Sequence, residues 1–125
     1  MPIAITFGTP INELNSWSLT ADLTKDDGMA LGPTALETLT LTLYDVTTNA
    51  IINAVDHVDI LNVGRGALDA AGHLIVSFES ADNPIVTPAN PKEKHKALII
   101  GTWNEGKGYT SQEIIFTVAN ITRVP

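Results

Sequence analysis

The chain has 125 residues, a formal net charge of −7 and a pI of about 4.6, with 44% hydrophobic but only 17% charged residues. The acidic balance disfavours nucleic-acid binding through phosphate contacts, and the absence of cysteine removes disulfides and thiolate metal ligands. No apolar run reaches the roughly 18 residues of a membrane span, and the length suits one domain, residues 1–125, with an ordinary core.

Met1-Pro2-Ile3-Ala4 shows neither a basic segment nor an apolar one, so no secretory leader is expected. Ile3, Ile5 and Phe7 alternate with small or polar residues and predict a first strand, ended by Gly8-Thr9-Pro10. Trp17, Leu19, Ala21 and Leu23 share one face of a half-buried second strand. Lys25-Asp26-Asp27-Gly28 predicts a tight turn, and Met29 to Pro33 a loop. From Leu36 to Asp45 the leucines 39, 41 and 43 recur with period 2, which selects a strand over a helix; Thr38, Thr40, Thr42 and Tyr44 face outward or contact a neighbour.

Ala50-Ile51-Ile52-Asn53 predicts a hairpin return after Val46-Thr47-Thr48-Asn49. Residues Asp56 to Asn62 fit either a short strand or a helical turn, and Gly64-Arg65-Gly66 breaks the pattern. Ala67 to Ala71 suggests one helical turn, ended by Gly72, and Leu74, Val76 and Phe78 mark another strand. The connection from Ser80 to Pro91 contains Pro84, Pro88 and Pro91 and so is not a central strand; its Ile85 and Val86 are expected to plug the end of the core. Lys94 to Val118 predicts a long hairpin around Asn104-Glu105-Gly106-Lys107-Gly108, with Ile114, Phe116 and Val118 facing inward. A short tail, Ala119 to Pro125, follows. About seven short strands separated by turn signals argue for an all-β antiparallel sandwich.

Chemistry-bearing residues are sparse. Asp56, His57 and Asp59 offer oxygen and imidazole ligands, but match no established metal spacing, and a solvated loop is the plainer reading. A small hydrolase built on these three residues is the weakest functional alternative. His73 at a strand start suggests turn chemistry, and His95 is flanked by the positive Lys94 and Lys96. No Gly-x-Ser-x-Gly elbow or phosphate-binding Gly-x-x-x-x-Gly-Lys-Ser/Thr loop occurs. Lys92, Lys94 and Lys96 recur every second residue, which places them on one face of a strand. They serve either as edge-strand protection, the favoured reading, or as contacts to an acidic partner. Trp103 beside the hairpin turn is core or a binding anchor, with core favoured. Trp17, Trp103 or Tyr109 would be the stacking platform of a carbohydrate-binding adhesin, a second functional alternative.

A family pattern spans roughly residues 36 to 120. It is carried by Leu39-Thr40-Leu41-Thr42-Leu43-Tyr44-Asp45, Thr48-Asn49-Ala50-Ile51-Ile52-Asn53, Asp59-Ile60-Leu61-Asn62 and Ala70-Ala71-Gly72-His73-Leu74. It continues through Ala81-Asp82-Asn83-Pro84-Ile85-Val86, His95-Lys96-Ala97-Leu98, Thr102-Trp103 and Glu113 to Asn120. This resembles the immunoglobulin-like β-sandwich module of tailed-bacteriophage structural proteins, found in capsid decoration, head–tail and baseplate or receptor-binding components. The resemblance implies a non-enzymatic virion protein, assembled in the host cytoplasm, that needs no cofactor, metal or catalytic residues. It would dock on other virion proteins in multiple copies, without nucleic acid or membrane. Because the chain ends at Pro125, a capsid decoration or head–tail accessory protein is expected rather than a receptor-binding one. The expected partner contacts are Lys92, Lys94, Lys96, Trp103 and Tyr109.

Overall fold

A computed structural model describes residues 3–6 (backbone), 10–25, 28–103, 105 and 107–121. Within these, the alternating segments become nine strands: β1 (Ile3–Thr6), β2 (Ile11–Asn12), β3 (Trp17–Asp22), β4 (Thr38–Asp45), β5 (Val58–Asp59), β6 (Gly66–Leu68), β7 (His73–Phe78), β8 (Lys92–Trp103) and β9 (Gly108–Ala119). One 3-10 turn, Ser80–Asp82, interrupts the connection between β7 and β8.

The large sheet has the order β1-β9-β8-β4-β5, with β2 also paired to β9, and the small sheet the order β3-β7-β6. Consecutive elements thus cross repeatedly between sheets. The order β9-β8-β4-β5 opposite β3-β7-β6 is the immunoglobulin-like Greek key. The expected antiparallel pairing holds throughout except at the N-terminal strands. β1 and β2 run parallel to β9, with Ile5 opposite Ile114 and Ile11 opposite Val118. The long hairpin sets the register: Trp103 lies opposite Gly108 and His95 opposite Phe116.

The inward rows meet in one apolar cluster. The large sheet contributes Leu39, Leu41, Leu43, Ala97, Ile99, Ile114, Phe116 and Val118; the small sheet contributes Leu19, Leu68, Leu74, Val76 and Phe78. Aromatic rings pack together at one end: Trp17 stacks on Phe78 at a centroid distance of 4.6 Å and contacts Phe116 at 5.0 Å. Ile85 and Val86 pack on the core as the sequence suggests.

Ala67 to Ala71 is no helical turn: Gly66–Leu68 pairs with β7, Leu68 opposite Leu74, because pairing to a neighbour outweighs weak local preference. Within Asp56 to Asn62 the strand reading holds for two residues, Val58 and Asp59, which pair with β4. The Ala50–Asn53 return does pair back on β4, through the antiparallel bridge of Ile51 with Tyr44 and hydrogen bonds from the Asp45 N–H to Ala50 and from the Ile52 N–H to Leu43, both 3.0 Å. Of the alternatives for the outward row of β4, Thr42 takes contact with a neighbour: it is buried, and its hydroxyl accepts the His57 N–H at 2.9 Å. Phe7, Asp26-Asp27, Asn104, Gly106 and the last four residues of the tail lie outside the described residues, so the turns and strand end expected there are not assessed.

Candidate functional site

β8 is the organising strand, and its two faces have opposite uses. Alternation sends Lys92, Lys94 and Lys96 outward and Glu93 and His95 inward, where both are buried. β8 pairs with β9 along its whole length, but with β4 only from Thr102 to His95, after which the Val46 N–H donates to the Lys94 carbonyl. Lys96 therefore stands on the open face of a central stretch, whereas Lys92 and Lys94 lie beyond the end of β4, where the edge-strand reading is retained.

Inside, Glu93 clasps the proline-rich connection. Its Oε1 accepts the Val86 N–H at 2.7 Å, and its Oε2 accepts the Thr87 N–H at 2.8 Å and the Asn90 amide at 3.0 Å. Asn120 completes the attachment, its Nδ2 donating to the Pro88 and Asn90 carbonyls at 3.2 and 2.9 Å. Segments rich in proline cannot satisfy their polar groups in a ladder, so side chains do so here. Burial pulls the Glu93 pKa up, but the Val86 and Thr87 N–H groups, His95 and Asn90 outweigh it, and the carboxyl sits below its ordinary value.

The lysines beside His95 in sequence point to the other side of the sheet. What faces its ring is Glu93, 3.0 Å from Nε2, and Asp45, 3.7 Å away. Asp45 in turn accepts the Thr48 N–H and hydroxyl at 2.9 and 2.8 Å, fixing the turn after β4. Asp45, Glu93 and His95 hold their ligand atoms within 4.8 Å of one another, the one group of this kind among the described residues. Sequence reasoning missed it because its members come from two strands. It is built as a hydrogen-bond clasp. Nδ1 of His95 is buried and has no hydrogen-bond partner among the described residues. An ionised Glu93 carboxylate can only accept, so the 3.0 Å contact is a hydrogen bond from Nε2.

The grouping sought in sequence behaves differently. His57 pairs with Asp56 at 2.6 Å in the open, with His57 in the left-handed region at φ 53°, while Asp59 accepts the Leu61 N–H. His73, at the start of β7, sits 2.6 Å from Asp22. The hydrogen bond to Asp22, then the charges of Asp69 and Asp22, raise its pKa. Asp82 is fully buried between Arg65 and Asn53.

Trp103 is half-buried and packs on the core, lying against Gly108 across the hairpin. Tyr109 is 59% exposed at the same end of the sheet. Trp17 is engaged with Phe78 and Phe116 at the His95 end, eight residues along β8 from Trp103. Of the three, Trp17 and Trp103 pack on the core, and Tyr109 is the exposed one.

The outward face of the large sheet brings the other expected contacts together. One row reads Ile51, Tyr44, Lys96, Ile115; the next reads Thr42, Leu98, Glu113; then Thr40, Ile100, Ser111; then Thr38, Thr102, Tyr109. Lys96 is held by Glu113 at 3.1 Å and lies 5.5 Å from the Tyr44 ring centroid. That hydrogen bond, opposed by partial burial and aided by Tyr44, raises the Lys96 pKa.

Comparison with protein-family models, curated proteins and solved structures finds no match. The fold and its outward face define an immunoglobulin-like β-sandwich, and the functional reading rests on its residues.

Proposed function

We propose that the chain is a non-enzymatic structural component of a tailed-phage virion, a capsid decoration or head–tail accessory protein present in many copies. Its work is to dock on other virion proteins by surface contact. The observation that supports this reading best is the use of the polar groups. The buried ones, Glu93, His95, Asp45, Asp82 and Asn83, hold connections to the sandwich. The broad outward face of the large sheet remains for contact. The likeness of residues 36 to 120 to phage sandwich modules points the same way.

Gold-labelled antibody on purified particles from the source of the chain tests the reading. Label over the head or at the neck is expected. Label at the tail tip moves the role to the baseplate, and particles without label overturn a virion role.

A further inference from the structure

Sheets with one face in water alternate apolar inward and polar outward. β8 and β9 depart from that rule. Ala97, Ile99, Ile114 and Phe116 already fill the core, yet the outward positions between them are Leu98, Ile100 and Ile115. These three are partly buried, neither closed off nor fully exposed, and are not among the side chains packed on the core. They form an apolar centre, with Tyr44 and Ile51 extending it across β4.

The rim is charged in a particular sense. Three of the seven cations of the chain, Lys92, Lys94 and Lys96, lie in one line beside that centre. Lys96 is matched by Glu113, whereas Lys92 and Lys94 are exposed and have no ion-pair partner among the described residues. A chain of net charge −7 has thus concentrated unmatched positive charge on one end of one face.

Resting on the proposed virion role, we infer that this face is the docking surface. Its occupant is a different protein whose surface carries an apolar strip bordered by carboxylates. Leu98, Ile100 and Ile115 bury against the strip, and Lys92 and Lys94 meet the carboxylates. The 12, 12 and 8 residues of β8, β9 and β4, at about 3.3 Å per residue and about 4.8 Å between strands, give a face of roughly 500 Å², the larger part of one side of a standard interface. A second copy fits poorly, because the paired strands of this face offer as carboxylates only Asp59 and Glu113, both engaged, and two chains of charge −7 repel. Nucleic acid fits no better, since two free lysines do not overcome that field.

The test uses particles assembled by the source phage with this gene deleted, to which purified chain is added and co-sedimented. Three variants are compared with wild type: Lys92→Glu/Lys94→Glu, Ile100→Lys, and Ile75→Lys on the outward face of the small sheet as control. We expect at least tenfold weaker binding for the first two, no change for the third, and weaker wild-type binding at higher salt. Acylation of the wild-type complex with a lysine-selective reagent should protect Lys92 and Lys94 and leave Lys25 and Lys107 unchanged, independently of any variant's folding. Wild-type binding with unaltered affinity in both face variants, or no protection of Lys92 and Lys94, overturns the docking face alone. Failure of wild type to bind overturns the virion role on which it rests. Self-association of the free chain abolished by the same substitutions overturns the assignment of a different protein as occupant.

Discussion

Nε1 of Trp17 donates a 3.0 Å hydrogen bond to Oδ1 of Asn83, tying the first strand of the small sheet to the start of the proline-rich connection. The Asn83 amide donates onward to the carbonyls of Asn15 and Glu79 at 2.8 and 3.0 Å, and the residue is fully buried. Asn83→Ala removes the acceptor of the indole and the donor of both carbonyls at once. Leaving buried polar groups unpaired costs about 1–3 kcal/mol, and urea unfolding should show a loss of that size with an unchanged m-value.

Glu93 makes stability depend on acid. Its folded pKa lies below the ordinary value of 4.5, so the unfolded chain takes up the proton first as pH falls. The contribution is complete above about pH 5 to 6 and is lost as pH drops through 4.5 to the lower native value. Glu93→Gln cannot accept all of these donors. It is expected to cost about 1–3 kcal/mol at pH 7 and to flatten the acid limb of the stability curve, read from unfolding midpoints between pH 3 and pH 7 (roughly the window of carboxylate titration).

Two glycines separate backbone clashes from side-chain ones. A Cβ on Gly66 would stand 2.0 Å from the Ile60 carbonyl oxygen, and one on Gly108 would stand 2.1 Å from Cε2 of Trp103. Backbone at Ile60 is fixed by hydrogen bonds to Leu39 and Asn62, whereas the half-buried indole can swing away. Gly66→Ala is expected to destabilise by about 1–3 kcal/mol or more in thermal unfolding. Gly108→Ala should cost less and instead shift Trp103 into water, seen as a red shift of tryptophan fluorescence.

His73 and Asp22 form an exposed pair whose effect is on titration rather than on the core. The raised pKa means that any stabilisation is fully present below pH 6.5 and is lost as pH rises through the higher native value. The His73 ring resonances in an NMR titration should therefore turn over above pH 6.5 and move back towards it in Asp22→Asn.

Period-2 patterns made most strands readable: Leu39, Leu41 and Leu43, or Ile114, Phe116 and Val118, carry their burial in their spacing. The same period placed Lys92, Lys94 and Lys96 on one face. Whether that face lay on an edge or a central strand depended on partners 50 residues away, as in Tyr44 opposite Lys96, and no local signal holds that. The parallel seating of β1 and β2 beside β9 and the short β6 were hidden for the same reason. Glu93 and His95 sit in a run of charged residues that looks solvent-facing; only the folding back of Val86 to Asn90 reveals why two polar side chains are buried there. Leu98, Ile100 and Ile115 could not be recognised as an outward apolar centre until the opposite face of the same strands was seen to be filled.

The most direct test of the central claim is a cryo-electron-microscopy difference map between particles purified with and without this gene product. The account predicts added density, repeated with the symmetry of the head or neck, that fits this sandwich and meets the particle through the β9-β8-β4 face. Reconstructions that are identical with and without the chain would contradict it.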